Sequence, residues 1–213
     1  MIDTLRAIRE SPLRNVKIVR KHRPIMRRGD SRIARYAHIY ITKGSFIMSN
    51  PKVVLHIKEY GDITLELYPD KAPETVANFV KLVSEGFYSG LIFHRVIRGF
   101  MIQGGGMDEG FNQKPAKSIK GEFRSNGFAQ NDLRHTKGVI SMARTQVKNS
   151  ASSQFFIMHA NSPHLDGEYA AFGAVTEGIE VVDAIAATKT RSVGWYDDVP
   201  VSPIVIESAE VIA

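Results

Sequence analysis

The first 47 residues carry apolar positions at Leu5, Ile8, Leu13, Val16 and Ile18 that keep neither a helical nor an alternating period, and Pro12 and Pro24 interrupt them. Order begins at Val53. The runs Val53–Ile57 and Ile63–Tyr68 are strand-like and are separated by a turn containing Gly61 and Asp62, the pattern of a hairpin. Pro73 opens a helix, with Glu74 well placed near the positive end of its dipole, and Ala72 is a poor N-cap. Val76, Phe79, Val80 and Val83 share one face of that helix, and Gly86 ends it. Six further strands are predicted over Phe93–Ile97, Phe100–Gln103, Val139–Ala143, Gln154–His159, Ala171–Val175 and from Pro203 through Val211. A second helix is predicted over Ile179–Thr188, with Ile179, Val182, Ile185 and Ala186 on one side. Many short strands with two isolated helices imply a mainly β chain, an antiparallel barrel or sandwich.

Charge sharpens the division of the chain. The 213 residues carry a formal net charge of +6. Residues 1–47 contain 12 Lys+Arg and 3 Asp+Glu, a net of +9, so the remainder is left at −3. A nucleic-acid interface spread over the ordered part is therefore not expected, and any such binding is assigned to residues 1–47. Three readings of that segment stand side by side. It is a basic arm, since Arg20–Arg28 holds six basic residues in nine counting His22; or a transit peptide; or a misassigned start, with Met48-Ser49-Asn50-Pro51 as the beginning of the working protein. The expected organisation is a basic, disordered or misassigned extension over 1–47 and one domain over 48–213.

The chain has no cysteine, which excludes disulfides, thiolate metal sites and a cysteine nucleophile. No apolar run approaches the length of a membrane span, and no secretory signal is evident. A cytoplasmic, monomeric protein without membrane contact is the expectation. Gly104-Gly105-Gly106 lacks the following Gly-Lys-Ser/Thr of a phosphate loop and reads as a tight bend or close backbone approach. His56, His94, His135, His159 and His164 have no metal-ligand spacing, and each reads as an ordinary core-edge or surface residue. In the run Phe93 to Gly105, strand alternation places Arg95 with Ile97 and Met101 with Gln103.

That run resembles the signature segment of the cyclophilin family of peptidyl-prolyl cis-trans isomerases, as do Ser153–Ile157, Leu165-Asp166-Gly167 and Phe172-Gly173. The resemblance spans Pro51 to Ala213 in order. It implies a closed eight-stranded antiparallel barrel capped by two α-helices. It also implies isomerisation of X-Pro bonds in peptides and in unfolded or folding proteins, without cofactor or metal. By the same resemblance Arg95 is the catalytic arginine and Gln103 is the glutamine beside the proline pocket; Gln103 is expected to bond the substrate backbone and help hold Arg95. Phe100, Met101 and Phe156 form the proline pocket, and Ala143 and Leu165 add further contacts. His164 stands where a tryptophan is common, so binding of cyclosporin A is expected to be weakened by loss of the indole donor. Tyr169 stands where a histidine often closes the pocket, and Arg144 replaces an asparagine that binds peptide through its backbone. Two other classes compete with catalysis: a proline-peptide binding module without turnover, and a nucleic-acid binder acting through residues 1–47.

Overall fold

The computed structural model describes residues 39–42, 45–48 and 50–212. It divides into two units, Met1–Ser49 and Asn50–Ala213. In the first, strands β1 (Ile39–Thr42) and β2 (Ser45–Met48) pair antiparallel with Ile39 opposite Met48, a ladder the sequence pattern had not suggested. The expectations for residues 1–38 lie outside the described residues.

The second unit is a closed barrel. Its strands are β3 (Lys52–Ile57), β4 (Gly61–Leu67), β5 (Leu91–Ile97), β6 (Met101–Gly104), β7 (Val139–Met142), β8 (Phe155–Met158), β9 (Ala171–Glu177) and, last in the chain, β12 (Val205–Ile212). Around the barrel the order is β12-β3-β4-β9-β7-β8-β6-β5, every pairing antiparallel. Closure leaves no unpaired strand edge in this sheet. All eight correspond to strands predicted from the pattern. The two helices are α1 (Pro73–Ser84) and α2 (Ile179–Ala186), the latter two residues shorter than expected. A further hairpin, β10 (Thr190–Val193) with β11 (Tyr196–Pro200), packs beside β5; its exposed polar positions show no alternation to predict it from.

Alternation separates an inside from an outside. Val53, Leu55 and Ile57 on β3, Ile63, Leu65 and Leu67 on β4, and Phe155 and Ile157 on β8 join the main core. Val76, Phe79, Val80 and Val83 of α1 and Val182 and Ile185 of α2 pack into the same core. Phe79 is its aromatic hub, with ring centroids 5.2 Å from Tyr88, 5.6 Å from Phe155 and 5.2 Å from Phe172. A second, smaller cluster lies on the opposite strand faces, where Met101, Phe156, Met158, Leu165 and Ala171 are buried. The functional residues gather there.

Two devices, one at the start of α1 and one at the end of β6, hold these elements in place. Ala72 makes no capping bond to α1, and a buried carboxylate from elsewhere in the chain does the work instead. Glu122 accepts the Glu74 amide at 3.0 Å, the Thr75 amide at 2.8 Å and the Thr75 hydroxyl at 2.7 Å. Its negative charge also sits at the positive end of the helix dipole. The other device is the glycine run. A Cβ on Gly104 would lie 2.8 Å from the Ile92 carbonyl oxygen, and one on Gly105 (φ +80°) would lie 2.7 Å from the Phe155 ring. Close approach, as expected from the sequence, is what these glycines permit.

Candidate active site

Strand β5 contains one irregularity, and it sets the site. Phe93 pairs with Gly104 and Arg95 with Gln103, so His94 is an extra residue on β5, a β-bulge. Perfect alternation would place Phe93, Arg95 and Ile97 on one face. Instead Phe93 and Val96 both enter the main core, while Arg95 and Ile97 lie outside it. The bulge releases Arg95 to the outer face.

There a cleft of about 250 Å³ collects nine of the ten residues singled out from the sequence. Met101, Phe156 and Leu165 form its buried apolar floor. Phe100 and Ala143 are half-buried beside them. Met101 and Gln103 share a face of β6 as the strand period requires, and Ile102 between them enters the core. The tenth residue, His164, is exposed and stacks on Phe100 at 5.8 Å between ring centroids. It buttresses the cleft and is not part of its lining.

The polar members are held by partners that sequence reasoning had not named. The Gln103 amide donates to the Gln154 side-chain oxygen at 3.1 Å. Arg95 Nε lies 3.5 Å from Asp198 Oδ2, on β11. Arg144 is a clamp: its side chain is only 12% exposed, and it donates from Nε and Nη2 to the Glu168 carbonyl at 3.2 and 2.9 Å. Its guanidinium lies 4.6 Å from the Tyr169 ring centroid and 5.0 Å from that of Phe123, a cation–π pairing that fixes Tyr169 at the cleft wall.

Behind Phe156 a hydrogen-bonded chain runs inward from the exposed Asp166 to the buried His135 and Ser141. Asp166 Oδ1 accepts the His135 backbone amide at 2.7 Å and lies 3.1 Å from the ring Nδ1. That assigns the ring proton to Nδ1 and leaves Nε2, 3.0 Å from Ser141 Oγ, to accept the hydroxyl. The arrangement has the connectivity of a hydrolase triad, but Ser141 is fully buried and cannot meet a substrate. Its consequence is packing: the His135 ring stacks on Phe156 at 6.0 Å, and Tyr169 meets Phe156 edge-on at 5.7 Å. Burial pulls the His135 pKa below its ordinary value, against the opposing pull of Asp166. His94 is buried too, and burial followed by the neighbouring Arg95 charge pushes it down to about 4. Both histidines are thus interior residues, deeper than the core-edge positions expected.

No helix among the described residues is long and apolar enough to cross a membrane. The family model described as "Cyclophilin type peptidyl-prolyl cis-trans isomerase/CLD" matches residues 52–211. Peptidyl-prolyl cis-trans isomerase A of Dickeya dadantii is 47% identical over 174 residues, covering 79% of this chain and 88% of that protein. Peptidyl-prolyl cis-trans isomerase B of Escherichia coli is 45% identical over 161 residues, covering 71% of this chain and 94% of that protein. A Cryptosporidium parvum cyclophilin-type isomerase superposes with a TM-score of 0.67 at 27% identity, over 77% of this chain and 98% of that one. A second structure of the same isomerase, determined in the presence of the dipeptide Ala-Pro, has a TM-score of 0.65 over 76% of this chain and 99% of that one, at 28% identity. Barrel order, cleft and these relatives agree, and the chain belongs to the cyclophilin-type peptidyl-prolyl cis-trans isomerase family.

Proposed function

We propose that this chain accelerates rotation about X-Pro bonds in peptides and in unfolded or folding proteins, with Arg95 stabilising the twisted amide. The observation that carries the proposal is the meeting of the Arg95 guanidinium with the apolar floor of Met101, Phe156 and Leu165 in a single cleft.

The barrier to X-Pro rotation, about 20 kcal/mol, comes from resonance between the amide nitrogen lone pair and the carbonyl. No nucleophile or general base is needed to lower it. Twisting returns the lone pair to nitrogen, and a hydrogen bond to that nitrogen exists only in the twisted state. Arginine suits the task because its guanidinium stays charged and can donate only. Phe100, Met101, Phe156 and Leu165 would hold the proline ring and exclude water, which strengthens the bond as it forms. Gln103, braced by Gln154, can bond the substrate backbone while the flanking peptide turns.

Arg95→Ala is expected to lower kcat/KM about 100-fold, the usual cost of removing one transition-state donor. Two-dimensional exchange NMR on a proline peptide reads the rate, and thermal unfolding checks the fold. Wild-type turnover in a folded Arg95→Ala protein would overturn the role of Arg95. An inactive wild-type protein that still binds the peptide would favour the binding-module reading.

A further inference from the structure

Two backbone irregularities on separate elements bring a carboxylate to the flank of Arg95. One is the bulge at His94, which turns Arg95 outward. The other lies in the β10–β11 hairpin. Arg191 pairs with Val199 and Val193 with Tyr196, so β11 spends one more residue than β10 over this stretch. Asp198 lies in that stretch with φ +59°, one of three non-glycine residues at positive φ among the described residues. This conformation is uncommon for any residue with a side chain, and aspartate is among the few that tolerate it. Local strain of this kind persists only where surrounding structure imposes it.

The surroundings here do impose it. Val199 and Pro200, next along β11, are buried against the barrel. On the other side Tyr196 stacks on Phe111 at 5.4 Å, and Ser192 Oγ donates to Asp197 Oδ1 at 2.6 Å, closing β10 onto β11. Asp198 is fixed between these anchors. Its Oδ2 lies 3.5 Å from Arg95 Nε.

We propose that Asp198 is a positioning residue for Arg95, holding Nε so that the Nη hydrogens are presented to the proline amide. The proposal rests on the role of Arg95 given above and adds the element that orients it. An arginine on an exposed strand face otherwise samples many rotamers, and its productive geometry would be reached only part of the time. The pair is poorly suited to a purely stabilising role: the Arg95 and Asp198 side chains are 45% and 39% exposed, and such ion pairs contribute little to folding. The β10–β11 hairpin thereby becomes part of the catalytic apparatus.

The test uses the full chain and a proline peptide, with kcat and KM taken from exchange NMR over a substrate titration. Asp198→Asn removes the charge, and Asp198→Gly removes the side chain; both residues accept the positive φ, so the hairpin backbone is spared. Each is expected to lower kcat about three- to tenfold, with KM changed less than about twofold and the unfolding midpoint unchanged. The Arg95 Nε–H resonance is expected to shift, and to exchange faster with solvent, on going from the wild-type protein to Asp198→Gly. Neither substitution is expected to matter in an Arg95→Ala background. Wild-type kcat in both variants, a loss confined to KM, or the same fractional loss without Arg95 would each overturn the proposal. If Arg95→Ala is itself fully active, the role of Arg95 fails and the proposal with it. If Arg95→Ala is crippled while both Asp198 variants are unimpaired, only the positioning role fails.

Discussion

His94 and Arg95 are neighbours with opposite fates, and the histidine makes a prediction about acid stability. Folded His94 has its pKa pushed from 6.5 to about 4, chiefly by burial. As pH falls below 6.5 the unfolded chain takes up a proton that the folded chain refuses, so stability falls until the folded form titrates near 4. His135, also lowered by burial, acts in the same direction. His56 acts in the opposite one: its bond to Asp62 raises its pKa, so it contributes stability at low pH that is lost as pH rises through its folded value. From pH 7 to pH 5, His94 alone is expected to cost about 2 kcal/mol. Urea unfolding at both pH values checks this, since His94→Leu should show the smaller difference. An equal difference in wild type and variant would rule the effect out. None of these environments can be read from a single histidine in a sequence: the burial of His94 and His135 depends on tertiary packing, Asp166 reaches His135 from 31 residues away, and Asp62 meets His56 only once the β3–β4 hairpin sets its register.

Helix α1 shows the same division between what is local and what is not. Its apolar stripe and its proline start are properties of twelve consecutive residues and were legible. Its cap was not, because Glu122 lies 47 residues beyond Thr75 and nothing near Ala72 points to it. Glu122→Ala would leave three donors of the first turn, the Glu74 and Thr75 amides and the Thr75 hydroxyl, without their acceptor and is expected to destabilise the protein by about 2–4 kcal/mol. Glu122→Gln, which keeps an acceptor and loses the charge at the helix N-terminus, should cost less. Denaturant titration ranks the three proteins, and equal midpoints would exclude the long-range cap. Strand β5 is a parallel case. Alternation correctly put Arg95 with Ile97, but only the bulge explains how Phe93 can face the core while Arg95 does not.

Across the chain, charge and family membership divide at nearly the same place. Residues 1–47 carry +9 and the rest −3, and the family match covers 52–211. We infer that the barrel is the complete isomerase. A protein beginning at Met48 should keep turnover within about twofold of the full chain and lose retention on cation exchange at pH 7. If the extension is a nucleic-acid arm, salt-sensitive RNA binding should disappear with it. A large loss of turnover on removing residues 1–47 would show that the extension belongs to the enzyme.

The eight barrel strands and both helices were open to inspection in the primary structure, and all nine residues that line the cleft were named through the family resemblance its motifs carry. Hydrophobic period and short motifs are written along the chain itself. The partners that give those residues their properties were not: Asp198 on Arg95, Gln154 on Gln103, Glu168 on Arg144, and His135 behind Phe156. Each is a contact between segments well apart in the chain that only the tertiary fold brings together, and two of the strand segments involved depart from regular period. Periodicity names the residues that face the same way, while bulges and long-range packing decide what each of them meets there.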